Sequence, residues 1–325
     1  MIDIIVKVLL IMATLLAFIV PGFILRKTNL VRPESMPSLS NILLYLCAPM
    51  MIVKAFAVNP IEPSGGVLLN FLYVFLFSVG ALLLTMLVCS LLFRVLKEEK
   101  RKRDVLTFIA TFSNCGFVGL PFIDMFTDGN SEAMMYLTVF NVAFNIFMWT
   151  AGVYLITQDK TQISLKKAFL NPSSVASAIG LLLFCVPQIN FLHMDAVKEL
   201  QQIVVFTGNM TAPLSMMIVG IRLAELSPRQ LFCDKKVYFA AFARLVLSFG
   251  LSYLLILPFK LTGLFSQSPY VLLAPVIAMA MPPAASIVAL AEKYDGDKDL
   301  AASAYTTGTL LSVFTLPFVL LLISL

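Results

Sequence analysis

Charge is what this sequence has least of. Only 13% of its 325 residues are Asp, Glu, Lys or Arg, against about 25% in an ordinary soluble domain, while 60% are hydrophobic and the mean hydropathy is +0.94. That balance excludes a soluble enzyme. The net charge of +5 comes from Lys and Arg in short joints between apolar runs and forms no continuous basic stripe, so no nucleic-acid partner is expected. Histidine is reduced to His193 alone, which rules out the H-E-x-x-H helix of a metalloprotease. The cysteines (Cys47, Cys89, Cys115, Cys185 and Cys233) are odd in number, lack metal-ligand spacing and fall mostly inside apolar runs, which reads as reduced packing residues. Long polar stretches are also missing. At about 20 apolar residues per membrane crossing, the chain holds about ten spans and no separate soluble domain.

What is present is a series of apolar runs near residues 5–25, 38–57, 67–93, 105–125, 132–156, 172–189, 201–222, 237–259, 270–292 and 300–323. The first is followed, not preceded, by its main positive flank (Arg26, Lys27) and lacks a small-x-small cleavage pattern, so it reads as a retained span. Five spans (1–156), a short cytoplasmic linker (157–171) and five more (172–325) make the expected organisation. Lys and Arg crowd the joints after spans 1, 3, 5, 7 and 9, where Arg94, Lys97, Lys100, Arg101, Lys102 and Arg103 form the densest group; the opposite joints hold only Lys7, Lys54, Lys198 and Lys260. By the positive-inside rule both termini face outward from a cell membrane. Arg244 lies inside span 8, near enough to its cytoplasmic end to be read as snorkelling.

The halves echo each other. Ala48-Pro49-Met50-Met51-Ile52-Val53 in span 2 resembles Ala212-Pro213 with Met216-Met217-Ile218-Val219 in span 7, an offset of 164, and Asp128-Gly129-Asn130 before span 5 resembles Asp295-Gly296-Asp297 before span 10, an offset of 167. A unit with an odd number of spans re-enters the membrane upside down when duplicated, which is the inverted-repeat plan of many secondary transporters. Span 4 carries Asn114, Gly116, Gly119 and Pro121; span 9 carries Pro282, Pro283 and Ser286. Proline removes a backbone donor and glycine weakens a helix, so both spans are predicted to break, and two breaks at matching places point to a midplane site. Asn141 and Asn145 share one face of span 5, and Gly308 and Ser312 follow at the same offset in span 10. Asp124, Lys54 and Glu292 sit near span ends, where solvated placement is expected; Asp124 is the candidate proton-sensitive group. Catalytic readings are weak. The D-x-x-x-D pair Asp124/Asp128 and the cluster Asp295/Asp297/Asp299 fall on opposite membrane faces, and the second has Thr306 where an EF-hand needs Glu. No metal or other cofactor is expected.

These residues resemble the auxin efflux carrier family, which includes bacterial carriers and the plant PIN-type exporters. The likeness runs over nearly the whole chain: Pro21-Gly22-Phe23, Ala48-Pro49, Asn114 with Gly119-Leu120-Pro121, Ala212-Pro213-Leu214-Ser215, Ala280-Met281-Pro282 leading to Ala291-Glu292-Lys293-Tyr294, and Leu310 to Pro317. The resemblance implies an all-α membrane protein of ten helices in two inverted five-helix repeats, like the sodium/proton antiporters, with broken helices 4 and 9 crossing at Pro121 and Pro282. Spans 1, 2, 6 and 7 would form a scaffold, and spans 3–5 and 8–10 a transport domain moving elevator-fashion. The crossover asparagine that contacts the anionic substrate falls on Asn114 by motif match, and a homodimer is implied by the plant relatives. Two departures stand out: plant carriers repeat a proline where this chain has Ser286-Ile287, and span 3 has no carboxylate between Val67 and Phe93. The expected activity is transport of a small organic anion, either an auxin-like monocarboxylate or a malate/malonate-type dicarboxylate, with partners limited to that anion and the lipid bilayer. The expected substrate-binding set is Asn114, Gly119, Pro121, Asn141, Asn145, Pro282, Pro283, Ser286 and Ser312. A membrane sensor using the same cleft without transport is the rival reading.

Overall fold

The structure, a computed structural model, describes residues 2–58, 62–193, 197–225, 227, 235–265, 268–294 and 297–324. Cys233, Asp295 and Gly296 lie outside the described residues, as do the side chains of His193 and Glu292. Among the described residues all regular structure is helical, with one isolated antiparallel bridge between Ser113 and Pro283.

Among the described residues eight helices are long and apolar enough to cross a membrane: α1 (Val6–Lys27), α2 (Pro33–Ala57), α3 (Gly65–Val95), α6 (Ser131–Thr157), α7 (Lys160–Cys185), α8 (Lys198–Glu225), α9 (Lys235–Leu261) and α12 (Lys298–Leu322). Between them lie four shorter pieces: α4 (Lys100–Thr111), α5 (Cys115–Phe126), α10 (Tyr270–Ala280) and α11 (Ser286–Lys293). The runs expected as spans 4 and 9 are therefore each two helices. Local chemistry sets the boundaries. Ser64, Asn130 and Asn171 each accept a backbone N–H at a helix start, and the turn before α6 places Asp128 (φ 54°) and Gly129 (φ 78°) in the left-handed region. The segment expected as a plain linker is helical over Lys160–Gln162 and Leu165–Leu170, because Asp159 and Ser164 cap those turns; the run expected to end at 189 stops at Cys185, with Pro187 just beyond.

Two packing styles divide the molecule. Helices α1, α2, α7 and α8 approach through glycine. A Cβ built on Gly22 would fall on the Met217 carbonyl, one on Gly220 would fall on the Ile19 carbonyl, and Gly180 and Gly208 lie against Phe56 and the Met51 backbone. Lipid tails supply no hydrophobic drive between helices, so such close backbone contact is what holds them together. On the other side, α3, α9 and the turn before α10 pack through aromatic edges: Tyr73 on Phe265 (5.2 Å), Phe77 on Phe259 (5.0 Å) and Phe93 on Phe239 (5.4 Å). The joint after α3 is tied to the start of α9 by the Glu98–Lys236 pair (2.6 Å), which holds the Glu98 carboxyl below its ordinary range. Leu10, Tyr45, Leu76, Leu87, Phe206 and Phe314 face outward, an apolar exterior suited to lipid.

Candidate functional site

The two breaks meet. Phe112 and Met281 leave helical geometry for extended backbone, and the strands so formed exchange two hydrogen bonds: Asn114 N–H to the Pro282 carbonyl (2.7 Å) and Ala284 N–H to the Phe112 carbonyl (2.9 Å). Each break gives one donor and takes one, so the joint is two-fold symmetric about Ser113 and Pro283. Beyond it the Asn114 carbonyl accepts from both Val118 and Gly119 (3.1 Å each), which opens α5 with a π-helical turn, Cys115–Gly119. The first-turn N–H groups of that helix are consequently those of Cys115, Gly116 and Phe117, upstream of Gly119 and Pro121, which the sequence reading placed in the binding set.

The expected site residues divide on geometry. Asn114 is buried at the joint, and its side-chain amide makes no hydrogen bond among the described residues. Gly119 packs against Met281 of the other break, and Gly116 lies against Asn141, whose Oδ1 accepts from the Cys115 thiol (3.2 Å). A Cβ on Gly308 would stand 2.5 Å from the Pro283 ring. The contacts Gly116–Asn141 and Pro283–Gly308 are thus one contact repeated at the offset of 167 seen in the sequence. Three buried polar atoms without a partner among the described residues lie here: the Ser113 and Ser286 hydroxyls and the Asn141 amide nitrogen. Asn145 and Ser312 differ, since Asn145 donates to the Asn141 carbonyl (2.9 Å) and Ser312 to the Thr309 carbonyl (2.6 Å) within their own helices. Pro121 is buried in the first turn of Leu120–Phe126, away from the joint; the crossing is at Ser113 and Pro283, with Pro282 supplying a carbonyl.

A match to the family model described as membrane transport protein spans residues 5–320. The chain belongs to that family. It is the auxin efflux carrier family to which the motifs pointed, and this membrane transport protein is a multi-pass membrane protein. A search of curated proteins finds no match.

Three features of this membrane transport protein were missed or misjudged in the sequence. Ser113, one residue before the expected asparagine, is the centre of the bridge. Arg244 does not snorkel: it is fully buried on the π-helical turn Ala243–Leu247 of α9, bonded to the carbonyls of Ala110 (2.9 Å), Thr111 (2.6 Å) and Met279. Nor are Lys54 and Asp124 separately solvated. They pair at 2.8 Å with side chains 15% and 17% exposed, and Lys54 also donates to Asn209 (3.0 Å), so α2, α5 and α8 are joined at one point. Asp124 therefore lies in an ion pair outside the joint. Asp124→Asn, which leaves a largely buried ammonium without its counter-charge, is expected to cost about 1–3 kcal/mol in thermal unfolding, while Lys54→Met with Asp124→Leu together cost less than that single change. A double-variant loss equal to the sum of the losses in Lys54→Met and Asp124→Leu alone would show that the pair has no coupling.

Proposed function

We propose that this membrane transport protein is a secondary transporter that moves a small organic anion by elevator-type alternating access around the joint of α4/α5 with α10/α11. The observation that carries the reading is the joint itself: two interrupted helices bonded through their main chains, with the Ser113 and Ser286 hydroxyls and the Asn141 amide nitrogen buried around it and without a partner among the described residues. Half-helix N-termini carry partial positive charge, so a carboxylate near the starts of α5 and α11 finds donors without a covalent or metal partner. Asn114 and Asn141 orient it; Asn145 and Ser312, Gly119, Pro121, Pro282 and Pro283 shape the walls.

In this reading the eight long helices and the two broken ones make ten spans in two inverted repeats, α1, α2, α7 and α8 forming the scaffold and the remainder the transport domain. Their contrast in packing supports that division, as does the Ser215 hydroxyl of α8 reaching the Phe117 carbonyl of α5 (3.0 Å), a contact the moving part has to break. The same reading has both termini outside a cell membrane and two copies paired.

The test is flux in proteoliposomes of purified protein, with concentration jumps of malate, malonate, succinate and indole-3-acetate, with and without a pH gradient. Saturable flux of one or more is expected; binding with no flux would make the protein a sensor and overturn the proposal. For the moving domain, a cysteine at Ser215 is expected to change its reactivity toward a thiol reagent when transported anion is added. Constant reactivity would remove the elevator part alone.

A further inference from the structure

The joint of α4/α5 with α10/α11 brings four helix ends together. Two are C-termini, those of α4 and α10, and their last carbonyls have lost their ordinary donors for identifiable reasons. The Ala110 carbonyl would receive the Asn114 N–H, which is committed to Pro282, and the Met279 carbonyl would receive an N–H from position 283, which is proline and has none. Arg244 supplies both replacements. One guanidinium nitrogen donates to Ala110 and Thr111, the other to Met279, and Ser248, one helical turn on, adds a second donor to Ala110 (2.7 Å).

The electrostatic result follows from the helix dipole. A C-terminus carries about half a negative elementary charge and an N-terminus about half a positive one, so four ends at one point sum to about zero. A crossing with no added charge would favour neither sign. Arg244 is fully buried, its Nε lacks a partner, and no carboxylate pairs with it among the described residues. Its single positive charge lies on the two negative poles, which leaves the two positive poles at the starts of α5 and α11 uncancelled.

From this the geometry points to Arg244 as the residue that makes the site select anions, a positioning residue that acts through the three carbonyls and not by touching the substrate. This inference rests on the transport-site reading above and adds to it the origin of charge selectivity. Its observable is discrimination between an acid and its uncharged amide, which a purely structural role does not move.

The experiment compares binding of malonate with malonamide, and of indole-3-acetate with indole-3-acetamide, to full-length reconstituted protein: wild type, Arg244→Gln and Arg244→Lys. Wild type is expected to prefer the acid of its transported pair by about 100-fold, Arg244→Gln to bring acid and amide within about threefold of each other, and Arg244→Lys to keep most of the preference with weaker affinity. A glutamine variant that folds and keeps the full preference overturns the proposal, and so does a wild type that binds amide as tightly as acid. Should Arg244→Gln not fold, Arg244→Lys decides: preference retained supports the charge, and preference lost with the charge retained overturns it. If wild type neither binds nor moves any of the anions tested for function, the transport-site reading falls and this inference falls with it; loss of discrimination by itself leaves that reading intact.

Discussion

Asn114→Ala is expected to reduce flux about 100-fold while leaving yield and thermal stability near those of wild type. The reasons lie on separate atoms. The structural work at position 114 is done by the main chain: the N–H bonds Pro282, and the carbonyl serves Val118 and Gly119. Alanine keeps all three bonds, and the backbone at 114 (φ −82°, ψ 50°) is close to the inverse γ-turn conformation, which does not require an asparagine side chain. The side-chain amide, by contrast, makes no bond among the described residues, so deleting it removes what it offers to a ligand. A hydrogen bond to a charged group contributes about 1.5–3 kcal/mol, which corresponds to about 10- to 160-fold in affinity. Unchanged rate and affinity in Asn114→Ala would remove this residue from the site, and a collapse in stability would mean that the amide has structural duties not visible in its contacts.

The second large effect is on folding. Gly220→Leu is expected to destroy the α1–α8 contact, with loss of about 3 kcal/mol or more and little monodisperse protein recovered after extraction. The added carbon would land on the Ile19 carbonyl, with the Phe23 backbone nitrogen close by, and backbone cannot rotate away as a side chain can. Gly22 faces α8 in the same manner, so the two helices would have to separate along the shared face. Gly250→Leu is the control, because that glycine on α9 has open space around it, and near-normal yield is expected there. Equal recovery of the two variants, read by size-exclusion profile and melting temperature, would show that the close approach is not what secures the pair.

Much of the architecture was legible because helix-breaking residues act locally. Gly116, Gly119, Pro282 and Pro283 disfavour regular helix, so two breaks were predictable although the first falls at Phe112–Asn114, just ahead of the glycines; the offset of 167 paired Asn141 with Gly308, but the contact each makes emerged only in the structure. Side-chain orientation was not legible. Asn145 and Ser312 look as available as Asn141 in the sequence, yet each turns to a carbonyl of its own helix, a choice decided by rotamer and neighbours. Arg244 failed for a related reason. A cation close to a span end can reach water or turn inward, and which occurs depends on whether carbonyls lie within reach, here those of α4 and α10 brought in from far along the chain. Lys54 and Asp124 repeat the lesson at a sequence separation of 70.

The joint at Ser113 and Pro283 has one more consequence. The two bonds between the crossing segments join main-chain atoms, so that part of the fastening does not depend on the side chains at 113 and 114 as long as residue 114 keeps its N–H. Selection, natural or in the laboratory, can therefore rewrite the residues proposed to meet a substrate while leaving those bonds as they are. Libraries restricted to small residues other than proline at positions 113, 114 and 141 should return folded proteins at high frequency, with differences among them concentrated in which molecules they accept.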